Sequence, residues 1–357
     1  MPLTVLSASY PLAPVTESTA GGAEQVLAML DEGLVGAGHR SLVIAQAGSH
    51  CRGTLRPVKA PGFRLDEDVH ALACIHYRDA IKRALTHFPV DVVHLHGLDF
   101  MDYLPEPGPP VVVTLHLPVA FYPSQAFQLS RLDTHLVCVS ESQASTCPPG
   151  TKIWGVIRNG VRLDQYQPAR VKGNYVFALG RICPEKGFDI ALDAATECGI
   201  PLVLAGTVFG YASHQRYFED VIRPRLAAEH RFIGAVGPKA KRELLAGARC
   251  VVVPSLVEET SSLVAMEAMA CGTPVVASKR GALRELVEHG CTGFLVDSRS
   301  EMAAAMEAAG SLSSTVCREY AEKHFSCEEM VRQYLSLYSR VAGSFAVHTD
   351  SDMQKVA

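Results

Sequence analysis

Apolar residues in this chain gather into short, β-rich runs of four to six residues, each closed by Gly, Pro or polar turn formers. Such runs are Leu3–Ala8, Ser41–Ala45, Asp91–His96, Val111–Leu115, Leu136–Ser140, Tyr175–Gly180, Pro201–Ala205, Val251–Pro254, Thr273–Ala277 and Gly293–Val296. Between them the apolar spacing changes to helical period over Ala23–Gly36, His70–His87, Phe188–Cys198, Arg216–Ala228, Lys239–Ala246, Leu263–Cys271 and Met302–Ala309. Continuous apolar strands alternating with helices predict parallel sheets covered on both faces, an α/β protein. The alternation breaks at IRNGVRLDQYQPARVKG, rich in turn formers and charge, and restarts with YVFALG. Two Rossmann-like domains facing each other across a cleft are therefore expected, residues 1–165 and 166–342. The polar segment 343–357 reads as a frayed tail, and the last helix is expected either to stay with the second domain or to pack back on the first.

Composition narrows the class. Of 357 residues, 48% are hydrophobic and 20% charged, as in a well-buried globular protein. A formal charge of −4 gives no broad positive field, which disfavours a nucleic-acid partner. The 11 cysteines are scattered without a C-x-x-C pair, so a disulfide framework or zinc cage is not expected, and a reducing, cytoplasmic setting fits best. The opening MPLTVLSASYPL lacks the basic and long apolar stretches of a secretory leader, and no segment reads as a membrane span.

Two segments carry candidate chemistry. In PSLVEETSSLVAMEAMACGTPVV, residues 254–276, Glu259 falls in a turn after an apolar strand and Glu267 lies one turn inside the helix that begins at Leu263. The amides of about residues 261 to 264 form an anion site at that helix start, and two carboxylates suit vicinal hydroxyls, a constellation fitted to a sugar nucleotide. Glu267 stands among Val264, Ala265, Met266, Ala268, Met269 and Ala270, where a charge requires a partner. In FALGRICPEKGFD, residues 177–189, Arg181 and Lys186 follow a strand end, two cations suited to a diphosphate whose charge grows as it departs. The alternative is a basic surface turn in which Lys186 pairs with Glu185.

Taken in order, these motifs resemble the family 4 glycosyltransferases of the GT-B fold, a retaining, metal-independent class. They match its G-R-x-x-x-x-K-G and E-x7-E patterns, and RNGV at 158–161 matches its hinge element. The likeness continues through GALRELVEHGCTGFLV (281–296) and REYAEKHFSCEEMVRQYLSLY (318–338). It is looser in AGGAEQ (20–25), DVVHLHG (91–97), VVTLHLP (112–118) and VCVSES (137–142).

The resemblance implies that Glu259 accepts a donor-sugar hydroxyl, Glu267 holds the ribose, and Arg181 and Lys186 bind the diphosphate. It also implies that Ser261, Ser262, Leu263 and Val264 supply the amide cradle, and that Gly234 and Val236 lie in the loop that meets the base. Gly22, in the loop after the first strand, would let backbone approach phosphate or acceptor, and His116 would bond the hexose and, through its backbone, steady the oxocarbenium. The family commonly carries an aromatic and a glycine where this chain has Ser261 and Ser262, which leaves the hexose open. Acceptor binding is expected in the first domain, around Glu17–Ala23 and Leu115–Gln128, with Phe121 and Tyr122 as an aromatic platform or as core.

Remaining signals are weaker. His94 and His96 are expected on opposite faces of their strand, unable to share a metal, and are read as structural or cleft-lining. Gly21-Gly22 comes too late after the first strand for a dinucleotide fingerprint. The cluster KAKR at 239–242 reads as a solvated helix face, with contact to anionic lipid as the alternative. The expected activity is retaining transfer of a hexosyl unit from a nucleoside diphosphate sugar, UDP-linked for preference, to an acceptor hydroxyl, with domain closure near residue 160 and no cofactor or metal. The rivals are a non-catalytic nucleotide-sugar-binding protein and a GT-B nucleotide-sugar epimerase.

Overall fold

The computed structural model describes residues 2–16, 19, 21–59, 67–226 and 229–353, with side chains through Ser344. The chain forms two compact units, Met1–Arg158 with Glu328–Ala357, and Asn159–Cys327.

In the first unit, seven parallel strands form one sheet: β1 (Thr4–Ala8), β2 (Arg40–Gln46), β3 (Thr54–Val58), β4 (Val92–Leu95), β5 (Val111–Leu115), β6 (Thr134–Cys138) and β7 (Ile153–Val156), with helices α1 (Gly22–Gly36), α2 (Glu67–His87) and α3 (Glu141–Ser145). The order β3-β2-β1-β4-β5-β6-β7 reverses direction at β1. One face buries Leu6, Ala8, Val93, Leu95, Val111 and Val113 against Tyr77, Phe100 and Tyr103.

The second unit holds β8 (Val176–Leu179), β9 (Leu202–Ala205), β10 (Arg231–Phe232), β11 (Cys250–Val253), β12 (Val275–Ser278) and β13 (Gly293–Val296). Its helices are α4 (Phe188–Cys198), α5 (Ala212–Arg216), α6 (Pro238–Gly247), α7 (Leu263–Ala270), α8 (Leu283–Leu286), α9 (Arg299–Ala309) and α10 (Ser314–His324). The sheet is again parallel, ordered β10-β9-β8-β11-β12-β13, and reverses at β8. Alternate residues feed two cores: Phe177, Val251 and Val275 on one face, Val176, Val252 and Val276 on the other. The helix expected over 216–228 begins earlier, as α5, and runs on through a π turn at Tyr217–Ile222 and a 3-10 turn at Arg223–Arg225; Ala227 and Ala228 lie outside the described residues.

The units depart from the expected boundaries. The division falls at Arg158/Asn159, not near residue 165, while residues from Glu328 onward return to the first unit, which is the second of the two placements expected for the last helix. The last helix, α11 (Cys327–Met353), explains the return. Tyr334 and Tyr338 are fully buried and hydrogen-bond Thr114 and His94 at 2.8 and 2.7 Å, while a Cβ on Gly33 of α1 would fall 2.7 Å from Val331 Cγ2. The segment beyond Gly343, expected as a tail, continues this helix to Met353. The chain passes between units twice, and in the second unit both passages are joined: the Val161 amide donates to Phe325 O and the Cys327 amide to Val161 O. Gly160 is required there, because a Cβ would stand 2.5 Å from Ser326 O. Among the described residues no helix is long and apolar enough to cross a membrane.

Candidate active site

Reversal of strand order leaves a crevice outside the carboxyl ends of the two strands that flank it, the usual place for a ligand in an open α/β sheet. In the second unit those strands are β8 and β11. The loop after β8 carries Arg181 and Lys186; the loop after β11 carries Glu259 and runs into α7. The sequence motifs thus lie at the one edge of this sheet where the topology provides room.

The two loops are laced together. Leu256 N donates to Glu185 O at 2.8 Å, and Gly187, in the left-handed region at φ 62°, has no room for a Cβ against Pro254 O. This clamp brings Lys186 Nζ to 2.5 Å from Glu259 Oε1, with the two side chains 26% and 11% exposed. Lys186 therefore pairs with Glu259 and not with Glu185, against the surface-turn alternative. Glu259 is itself fixed by its backbone, since its carbonyl accepts the Ala282 amide at 2.7 Å and Gly281 (φ 51°) packs against it. Arg181 is exposed in the same loop.

At the start of α7, Ser262 is the N-cap and its Oγ accepts the Ala265 amide at 3.3 Å. The Met266 amide is the first to reach back to a helix carbonyl, that of Ser262, at 3.1 Å. Leu263 and Val264 precede it, so their amides have no acceptor four residues back in the helix, while their side chains pack on the core. Ser261 Oγ is buried with no hydrogen-bond partner among the described residues. At the other end of α7, Lys172 Nζ donates to Cys271 O at 3.3 Å and Arg318 Nη1 to Ala270 O at 2.7 Å. These cations meet the negative, carboxyl pole of the helix, and its amino end is the positive one.

Glu267 is 3% exposed, and its partner comes from an unexpected place. Lys241 Nζ lies 2.6 Å from Glu267 Oε1 and Tyr166 OH donates to the same oxygen at 2.7 Å. Burial, then Glu267, push the Tyr166 phenol well above its usual range, so it remains a donor. The cluster at 239–242 is thus not wholly a solvated face: Lys239 is exposed, but Lys241 turns inward from α6. We predict that Lys241→Met lowers unfolding stability by about 3 kcal/mol, because it strips a buried carboxylate of its cation, whereas Lys239→Met changes it by less than about 0.5 kcal/mol. Urea midpoints of the two variants provide the comparison.

Gly234 (φ 71°) and Val236 follow β10. The Gly234 carbonyl accepts the Gly206 amide at 2.8 Å, and Gly206 (φ 148°) lies so close to Gly180 O that only glycine fits. Three strand-end loops are thereby fastened side by side, with the Val236 side chain packed on the core. Gly206, Tyr166 and Lys241 were not foreseen. Gly206 had a signal, a glycine closing the run LVLAG as Gly180 closes FALG; Tyr166 and Lys241 had none. A cavity of about 460 Å³ beside Lys172, Asn174, Arg249 and Ser314 opens at the opposite, amino ends of the strands, away from these groups.

The first unit carries the other candidate residues. Its sheet reverses between β1 and β4, and His96 and His116 follow β4 and β5. His94 and His96 do not face opposite ways: their rings are 3.9 Å apart between centroids. A strand repeats every two residues, so positions 94 and 96 share a face, and Thr114 and His116 share it too. His96 Nδ1 and His116 Nε2 are 3.0 Å apart. Burial pushes His116 down to about 3 and His94 and His96 well below the usual imidazole value, so all three are neutral at pH 7. Gly22 is the first residue of α1, not a loop residue, because Gly21 acts as the N-cap and the Glu24 side chain folds against Gly21. Of the expected acceptor segment, Glu17, Ser18 and Ala20 lie outside the described residues. Tyr122 is core, packed on Phe100 and Phe127 with its hydroxyl accepting the Leu117 amide, while Phe121 is exposed.

The chain is similar to known proteins along most of its length. Residues 162–323 match the family described as Glycosyl transferases group 1, and residues 20–165 match Glycosyltransferase Family 4. The phosphatidyl-myo-inositol mannosyltransferase of Mycobacterium tuberculosis is 28% identical over 94% of this chain and 97% of its own. The D-inositol 3-phosphate glycosyltransferase of Mycolicibacterium smegmatis is 31% identical over 53% and 48%. Among solved structures, sucrose-phosphate synthase of Thermosynechococcus elongatus superimposes with a TM-score of 0.81 at 20% identity, covering 96% of this chain and 100% of that one. Anabaena HepE, solved with UDP and glucose, gives 0.74 at 20% identity over 95% and 100%. Strand order, site motifs and both family matches converge, and the chain belongs to the family 4 glycosyltransferases of the GT-B fold.

Proposed function

We propose that this glycosyltransferase moves a hexosyl unit from a nucleoside diphosphate sugar, a UDP-sugar for preference, to an acceptor hydroxyl with retention of configuration. The observation that carries the reading is the convergence of Arg181, the Lys186–Glu259 pair and the amino end of α7 on the β8/β11 switch point. An ammonium has three donors, and Glu259 takes one, which leaves Lys186 able to bond phosphate oxygens while held in place. In the proposed reaction the bond from C1 of the sugar to the diphosphate oxygen breaks and a bond from the acceptor oxygen forms on the same face. The acceptor proton passes to the leaving diphosphate. Charge thus accumulates where Arg181, Lys186 and the α7 amides stand, and stabilisation that grows toward the transition state is what accelerates the step.

Neither a side-chain nucleophile nor a divalent ion enters this scheme, so turnover is proposed to need no added metal. Gly234 and Val236 would meet the base by backbone, Glu267 the ribose, and Glu259 the hexose. In the first unit, Gly22 would approach the donor by backbone and His116 would contact the hexose. The reading places the protein in the cytoplasm, where nucleotide sugars are made. Two relatives are named for acceptors that contain inositol and phosphate, so inositol phosphates belong in the acceptor panel.

Thermal-shift measurement against UDP-, GDP- and ADP-sugars tests the proposal. A donor at 100 times its Kd should add about 2.7 kcal/mol to unfolding stability, and the sugar that does so should release its nucleotide slowly without acceptor. Failure of every nucleotide sugar to shift the transition would overturn the donor assignment; binding with no nucleotide release under any acceptor would leave a binding protein.

A further inference from the structure

The first unit contains a second cluster, unrelated to the diphosphate groups. His70 and Cys74 are one helical turn apart on α2, and Asp99 follows β4 three residues after His96. His70 Nε2 is 2.7 Å from Asp99 Oδ2, Cys74 Sγ donates to the same oxygen at 3.3 Å, and Cys74 Sγ is 3.9 Å from His70 Nε2. A nucleophilic relay would use the two imidazole nitrogens in turn, one toward the thiol and one toward the carboxylate. Here one nitrogen, one sulfur and one oxygen lie within 3.9 Å of one another.

We propose that His70 Nε2, Cys74 Sγ and Asp99 Oδ2 form a zinc site that braces the loop after β4. Tetrahedral Zn²⁺ with N, S and O ligands sets them about 3.3–3.6 Å apart, and each observed separation lies within about 0.7 Å of that range. Binding exchanges the thiol proton, released to solvent, for a Zn–S bond, alongside bonds to the neutral imidazole nitrogen and the carboxylate. A thiolate and a carboxylate balance the ion's charge, so the buried assembly is neutral. Supporting contacts are in place: Asp99 Oδ1 accepts from Tyr103 OH at 2.9 Å, which orients the carboxylate. His70, its side chain 35% exposed, provides the way in and leaves a fourth position to water. Gly97, tight against Asp99 Oδ1 and Tyr103, ties this cluster to the turn that follows His96. The role is bracing rather than chemistry, so it is compatible with metal-free turnover. A C-x-x-C search misses it because the ligands come from one helix and a distant loop.

A second trio, Cys183, Glu185 and His214, also lies within 4.8 Å, but there Cys183 donates to Arg181 O. It provides the control. The full chain, stripped with chelator, is titrated with Zn²⁺ by calorimetry and with Co²⁺ by absorbance. One Zn²⁺ per chain is expected, with a thiolate-to-cobalt charge-transfer band and a raised Tm. Cys74→Ser and Asp99→Asn should each weaken Zn²⁺ binding about 100-fold or more, and Cys74→Ser should lose the cobalt band, whereas Cys183→Ser retains both. No stoichiometric binding by the wild type, or a band that survives Cys74→Ser and vanishes in Cys183→Ser, overturns the proposal. Circular dichroism confirms that each variant is folded, and Asp99→Asn preserves volume if Cys74→Ser does not fold.

Discussion

Lys186→Ala and Glu259→Gln are each expected to lower kcat by about 10²–10³-fold, the usual cost of losing one group aimed at developing charge. The two reach that outcome differently. Alanine at 186 removes a cation from the diphosphate and leaves Glu259, 11% exposed, without its partner. Glutamine at 259 preserves shape and still accepts from Lys186, but gives up the carboxylate proposed to receive the sugar hydroxyl. Because the pair sits at 2.5 Å, the variants are not independent, and the double variant should lose much less than the product of the two single losses. Both chains should melt within a few degrees of wild type, since the pair joins loops already held by backbone contacts such as Leu256 N to Glu185 O. Initial rates with saturating donor, beside melting curves, decide it. Wild-type turnover in either single variant would remove these residues from the reaction.

The same segment shows what a sequence can disclose. Arg181, Lys186, Glu259 and the start of α7 are legible because each stands at a fixed offset from an apolar run, and those runs become β8 and β11 of a parallel sheet. What remains hidden is tertiary pairing. Nothing in KAKR distinguishes Lys241 from Lys239; only the packing of α6 beside α7 turns one of them toward Glu267. Strand β3 escaped notice because an edge strand needs no apolar face, and TLRPV carries Arg56 and Pro57. Strand β10 is two residues long. The end of α11 looked like a tail because its residues are polar, yet Tyr334 and Tyr338, four apart on one helical face, had the spacing of a buried stripe. His94 and His96 stand two apart in a strand whose period is two, and the face they share creates the histidine stack.

That stack should make the first unit acid-sensitive. His94, His96 and His116 lie in a row, with ring centroids 3.9 and 5.3 Å apart, and burial lowers all three. In the unfolded chain each imidazole takes a proton near pH 6.5. A base whose folded value is depressed carries no penalty above 6.5. As pH falls below 6.5 the unfolded chain binds protons that the folded one refuses, and stability drops until the folded value is reached. For His116, with a folded value of about 3, the loss at pH 5 is about 2 kcal/mol, at 1.36 kcal/mol per unit. His94 and His96 act in the same direction, and a proton on any one ring opposes protonation of the next. Trp154, the single tryptophan, stands in β7 of the first unit, so its fluorescence follows that unit alone. Urea midpoints at pH 7 and pH 5 should show wild type losing about 2 kcal/mol more than His116→Gln, whose side chain can still bond His96 but does not titrate. Equal losses would mean that His116 titrates in the folded chain as it does in the unfolded one.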